Sequence, residues 1–234
     1  MAATRGDKLN LIFDADDTLW HSNLHFREVE REFAAAMAAQ GVEIDPRAVR
    51  PAVRRFELEV IRSHGYGRGP YVRAMHLALD LLVPPATAAR MRPVVDEIGA
   101  RFIARDCELI PGVGETLAIL ATRHRLLLFT KGQRNEQLDK LRRSGLAPLF
   151  SRVEVPAEKD VAAYLQLVEA AALDPRASYM IGNSPRSDIN PALRAGLGAV
   201  YIPQPEAWEH DHDELDRTER LIELASFLQL LEIF

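Results

Sequence analysis

From residue 111 onward the hydrophobic pattern switches between two periods, and few folds accept that alternation. Short runs at 125–129, 152–155, 178–181 and 199–202 alternate with stretches of helical spacing near 115–122, 135–143, 161–172 and 191–195. Runs of four or five residues are too short to stand as helices, and their flanks carry the turn residues that bound strands. They predict a parallel sheet covered by helices on both faces. A further apolar run, Leu9-Asn10-Leu11-Ile12-Phe13, stops at Asp14 and reads as a buried strand of the same sheet, since one strand cannot stand alone. The expected class is α/β, doubly wound. The tail, 218–234, reads as a final amphipathic segment packed on that sheet.

Between the first strand and the rest, the period is helical throughout. Phe26, Val29, Phe33 and Met37 recur at helical spacing, and Gly41 closes the run. Asp45-Pro46 is an N-cap followed by proline, leading into Val49, Val53, Phe56 and Val60. Val72, Met75, Leu79 and Leu82 form a third stripe. Thr87 is the expected cap of a fourth, carrying Met91, Val94, Ile98 and Phe102. A glycine-rich interruption, Gly65-Tyr66-Gly67-Arg68-Gly69-Pro70, separates the second stripe from the third. Four amphipathic helices in sequence make a small bundle with its own core. The chain therefore divides into a core formed by 1–22 and 106–234 and an inserted four-helix domain at 23–105.

Composition narrows the partners. Hydrophobic residues make up 47% and charged residues 27%, which is globular, and the net charge of −5 with scattered Lys and Arg leaves no electrostatic footprint for nucleic acid. No apolar run reaches the length of a membrane span, so no membrane partner is expected. The first ten residues are short on apolar character and carry no leader pattern, and the default expectation is a cytoplasmic chain. Cys107 stands alone, which excludes an internal disulfide and a cysteine-based zinc site. Monomer and homodimer both stay open.

Ligands of an open parallel sheet bind at the carboxyl ends of its strands. The first strand ends in Asp14-Ala15-Asp16-Asp17-Thr18, the 125–129 strand in Thr130-Lys131-Gly132, and the 178–181 strand in Gly182-Asn183-Ser184 with Asp188 beyond; Lys159 follows the 152–155 strand. A carboxylate attacks phosphorus directly, and a second one two residues on passes protons. A hard dication offsets the repulsion between phosphate and carboxylates, while a hydroxyl and an ammonium hold the equatorial oxygens.

These residues resemble the four motifs of the haloacid dehalogenase superfamily: Asp14-x-Asp16-x-Thr18, Thr130 after Leu127-Leu128-Phe129, Lys159, and Gly182-Asn183-Ser184-Pro185-Arg186-Ser187-Asp188. The helical insertion lies where that family's type-one cap sits. The resemblance implies a Rossmann-like core and a Mg²⁺-dependent phosphomonoesterase of a small phosphorylated metabolite, working through an aspartyl-phosphate. Asp14 is then the nucleophile and Asp16 the acid/base. Thr130 and Lys159 bind the phosphoryl group with Lys131 beside them, and Asp14, the Asp16 backbone carbonyl and Asp188 hold the metal. The sequence departs from the family twice: Asp17 stands where glycine is frequent, and Asn183 where many members carry an additional acid.

Other readings remain at this point. A dehalogenase uses the same nucleophile, but its position two residues on is usually not aspartate. A phosphomutase keeps the same motifs. A phospho-acceptor signalling domain shares the chemistry, but its acceptor follows the third strand. The glycine-punctuated stretch offers Tyr66 and Arg68 as substrate contacts if it overhangs Asp14. His210-Asp211-His212 reads as solvated, Gly112-Val113-Gly114 lacks the third glycine of a dinucleotide fingerprint, and Cys107 reads as packing.

Overall fold

A computed structural model describes residues 8–205, 208 and 211–234, so residues 1–7 and His210 lie outside the described residues. Among the described residues six strands form one sheet: β1 (Asn10–Phe13), β2 (Arg125–Phe129), β3 (Arg152–Glu154), β4 (Ser178–Gly182), β5 (Gly198–Tyr201) and β6 (Leu221–Glu223). Their order is β3-β2-β1-β4-β5-β6 and every pairing is parallel. Chain order reverses between β1 and β4, which is where a doubly wound sheet opens a crevice.

The continuous apolar runs follow from burial on both faces. In β1, Leu11 and Phe13 join one core while Ile12 joins the other; in β2, Leu126 and Leu128 part from Leu127 and Phe129 in the same way. The first core is covered by α5 (Val113–Arg123) and α6 (Arg134–Arg143) through Val113, Leu117, Leu120 and Leu141. The second is covered by α7 (Val161–Ala170) and α8 (Asn190–Arg194) through Tyr164, Leu167 and Ala192. Cys107 packs against the first core, as expected.

The tail departs from expectation. Leu221–Glu223 extends the sheet as its sixth strand, and only then do Phe227 and α9 (Leu230–Ile233) fold onto the first core. Three residues show too little periodicity to mark a strand, and register with β5 supplies what the pattern lacks.

Residues 24–106 form a separate compact unit, distinct from the one made by 1–23 and 107–234. Its helices are α1 (Asn23–Ala39), α2 (Pro46–His64), α3 (Arg68–Leu82) and α4 (Pro85–Ala104), and its core is drawn from these helices and the turn at Val42. Asp45 caps α2 by accepting the Arg47 N–H at 2.9 Å. Thr87 is not a cap: α4 starts two residues earlier at Pro85, with Pro84 before it, because proline suits the first turn. The interruption at 65–70 is also shorter than expected. Gly65–Gly67 alone joins the helices, and Arg68, Gly69 and Pro70 form the first turn of α3.

Candidate active site

Asp14 lies one residue beyond β1, its N–H bonded to Ile181 O of β4 at 2.9 Å. The chain then folds tightly. Leu19 N–H donates to Ala15 O at 2.8 Å and Asp17 N–H to Trp20 O at 2.8 Å. Asp17 takes φ 60°, the left-handed conformation that glycine adopts freely. Aspartate is among the side chains that tolerate it. The Asp17 carboxylate then accepts the Ser22 and Asn23 N–H groups at the start of α1, at 2.9 and 3.1 Å.

Lys159 joins the strand ends. Its ammonium, 1% exposed, donates to Asp14 Oδ1 at 2.7 Å and is paired with Asp188 Oδ1. Burial lowers the Lys159 pKa, but Asp14 and Asp188 outweigh it and keep the group charged. Burial pushes the Asp14 carboxyl up to about 7, against the pull of Lys159 and with the repulsion of Asp188. One cation thus serves two buried carboxylates. Asp188 is set by its own turn: Oδ2 accepts the Ser184 N–H at 2.9 Å, and a Cβ on Gly182 would overlap the carboxylate. That turn is π-helical, Pro185–Ile189, a form found often at functional sites. Tyr164 of α7 braces it from below, donating to Ser187 O at 3.0 Å.

Asp16 is half-buried and held by three donors. Trp20 Nε1 reaches Oδ1 at 2.7 Å, Gln137 Nε2 reaches Oδ2 at 2.7 Å, and Lys140 Nζ lies 3.0 Å from Oδ1. Burial raises the Asp16 carboxyl, but the Lys140 ammonium and these hydrogen bonds outweigh it and hold it below the ordinary carboxylate range.

Of the remaining expected residues, Thr130 lies buried just past β2, with its hydroxyl 3.4 Å from Lys131 O. Lys131 donates to Ser187 Oγ at 3.0 Å, which ties the second motif to the fourth. Asn183 accepts the Thr18 hydroxyl at 3.1 Å and so braces the first motif where many family members carry an acid. Tyr66 and Arg68 lie in the helical unit. Arg68, expected on a substrate, is 5% exposed, with Nη1 donating to the Phe102, Ile103 and Arg105 carbonyls at 3.1, 3.3 and 2.8 Å. Those carbonyls lie at the C-terminal end of α4, where Phe102 O also accepts the Arg105 N–H at 3.4 Å.

Sequence reasoning missed Gln137 and Lys140, whose signal was a polar pair three residues apart on the helix after the second motif. It also misread Asp211, which is half-buried and accepts the Ser184 hydroxyl at 3.0 Å. Among the described residues no three acidic, imidazole or thiolate groups converge into a ready metal cage. No described helix is long and apolar enough to cross a membrane.

A parallel sheet that brings Asp14, Lys159 and Asp188 together at its switch point makes this an α/β protein with a charged cluster at its strand ends. The chain belongs to the haloacid dehalogenase-like hydrolases: that family's model matches residues 10–196. A haloacid dehalogenase-like family hydrolase from Xanthomonas campestris is 30% identical, with a TM-score of 0.78 over 96% of this chain and 89% of its own. The HAD-hydrolase YfnB from Bacillus subtilis, in a crystal form bound to magnesium, is 18% identical with a TM-score of 0.65 over 97% and 98%. A 2-haloacid dehalogenase from Pseudomonas syringae is 23% identical with a TM-score of 0.60 over 97% and 98%. The last two share the fold. No curated protein matches the chain.

Proposed function

We propose that this hydrolase is a Mg²⁺-dependent phosphomonoesterase of a small phosphorylated metabolite, with Asp14 as nucleophile. The observation that carries the reading is the Lys159 ammonium shared by Asp14 and Asp188, beside a second carboxylate two residues from the nucleophile. A halide leaves without a proton, so a dehalogenase needs no general acid at Asp16 in its first step. A phosphate ester needs proton transfer on both sides of the intermediate.

Asp14 Oδ attacks phosphorus, a new P–O bond forms, and the ester P–O bond breaks with its electron pair on the leaving oxygen. Lys159 has three N–H donors and spends two on Asp14 and Asp188, which leaves one for a phosphoryl oxygen. The Thr130 hydroxyl serves another. Water then attacks the acyl phosphate, Asp16 takes its proton, and inorganic phosphate leaves. Asp16 is held ionised and is therefore ready as that base. To protonate the leaving oxygen in the first step, Asp16 must first leave Lys140 and take up a proton, which it then gives to that oxygen.

The donor set fits a hard dication. It offers only oxygen, from the Asp14 and Asp188 carboxylates and the Asp16 backbone carbonyl, and magnesium is satisfied by one or two carboxylates with water completing its shell. Two buried carboxylates balanced by one ammonium favour a second cation. Bound Mg²⁺ supplies charge neutralisation at the phosphoryl oxygens. The test is phosphate release from p-nitrophenyl phosphate with Mg²⁺ and with chelator, set against halide release from 2-chloropropionate. Magnesium-dependent phosphate release with no halide is expected. Halide release, or full activity in chelator, refutes the reading.

A further inference from the structure

Asp188 is the only carboxylate within the 182–188 segment, and its direction is set by Ser184. The Ser184 N–H donates to Asp188 Oδ2 at 2.9 Å, and the Ser184 carbonyl accepts the Asp188 N–H at 2.8 Å. The Ser184 hydroxyl accepts the Ser187 N–H at 3.1 Å and passes its own proton to Asp211 Oδ1 at 3.0 Å. Ser184 is thus fixed at three atoms, and the hydroxyl's acceptor comes from a distant part of the chain.

That acceptor is built in. Asp211 begins a segment after β5 that α8 clamps: Asn190 Nδ2 donates to Glu214 O at 2.7 Å, and Asn190 Oδ1 accepts the Asp216 N–H at 2.9 Å. Arg194 forks onto the Asp216 carboxylate at 2.6 and 3.0 Å. Burial raises the Asp211 carboxyl while Lys131 and the Ser184 hydrogen bond oppose it, and Asp14 and Lys159 lie close enough to bear on it. A half-buried carboxylate beside this centre needs a hydrogen-bond partner, and the Ser184 hydroxyl supplies one.

We infer that Asp211 is a positioning residue for the cation-binding carboxylate of Asp188, acting through the Ser184 hydroxyl. The inference rests on the cation site proposed above. With Asn183 spent on Thr18, no second acid in the 182–188 segment steadies the site. Outer hydrogen-bond partners of metal-binding groups commonly govern affinity by about 10- to 100-fold.

The test is Mg²⁺ binding to the full chain by titration calorimetry, without substrate. Asp211→Ala is expected to weaken Mg²⁺ by about tenfold. Asp211→Asn should stay within about threefold of the parent, because its amide oxygen accepts the same hydroxyl proton. Ser184→Ala should match Asp211→Ala, and the double variant should be no weaker than Ser184→Ala alone. Should Asp211→Ala not fold, Ser184→Ala against Ser184→Thr carries the same comparison, with the loss confined to Ala. Parent-like binding by Asp211→Ala or by Ser184→Ala, equal loss in Asp211→Asn, or losses that multiply in the double variant overturn the inference. A parent that binds no Mg²⁺ ends the cation reading itself, and this inference with it.

Discussion

Asp17 does two jobs that glycine at its position cannot combine. It holds φ 60° through the turn and it caps the start of α1 with its carboxylate. The cost is a buried charge: burial pushes the Asp17 carboxyl up to about 7, the two backbone N–H groups notwithstanding. The sign of the pH dependence follows. Between its ordinary value, near 4, and about 7 the folded chain keeps a proton that the unfolded chain has lost, so stability falls as pH rises through that window. Asp14 contributes in the same direction, being pushed up to about 7 by its own burial. Urea denaturation in chelator should show the parent less stable at pH 7.5 than at pH 5, with a slope on the order of 1 kcal/mol per pH unit for each group. Asp17→Asn should remove roughly half of that slope, because its amide keeps a capping oxygen and carries no charge to bury. An unchanged slope would mean that Asp17 is not the group responsible. Asp14→Asn tests the chemistry instead. The amide is a poor nucleophile, so the variant should fold and bind phosphate esters with turnover below detection by phosphate release; a pure preparation that turns over removes Asp14 from the mechanism.

The elements show where sequence pattern suffices and where it does not. β2 was legible to the residue because LLLF is buried on both faces, and α2 because Asp45-Pro46 announces its start. The three-residue β6 was illegible, since its pairing with β5 is set by register. The same divide runs through the site. The places of Asp14, Asp16 and Asp188 at strand ends were legible in the pattern, whereas Lys140 is one of several cations in a basic helix, and Asp211, between two histidines, reads as solvated. Each gains its meaning from a partner far away in the chain. Arg68 is the converse, a residue whose chemistry was legible and whose place was not. It closes the end of α4, with its guanidinium 5.4 Å from the Phe102 ring centroid. Arg68→Ala removes one donor from three carbonyls at the end of α4, and should cost about 2 kcal/mol in chemical denaturation. A variant that unfolds with the parent while its KM for the natural substrate climbs would return Arg68 to substrate recognition.

At the scale of the whole chain, the site is an achievement of topology. Asp14, Lys159 and Asp188 are spread over most of the sequence and meet only because β1 sits between β2 and β4, with three strand-to-strand crossovers completed. No unfolded chain offers the same oxygen set, so a cation held there binds the folded state alone and must stabilise it by linkage. At free Mg²⁺ about 100 times its dissociation constant, the gain is about 2.7 kcal/mol. A domain of this size shifts by roughly 2–4 °C for each kcal/mol, so thermal unfolding should move up by about 5–10 °C. The shift belongs to the unit formed by 1–23 and 107–234, because the other unit builds its core from its own helices and carries none of the three residues. Asp188→Asn should lose most of it: an amide oxygen still reaches the Ser184 N–H, which keeps the turn, but it brings no charge to the cation. Calorimetric scans of parent and Asp188→Asn, with Mg²⁺ and with chelator, make the comparison. A Mg²⁺ shift of equal size in both proteins would place the cation elsewhere on the chain, and the oxygen set at the switch point would then need another purpose.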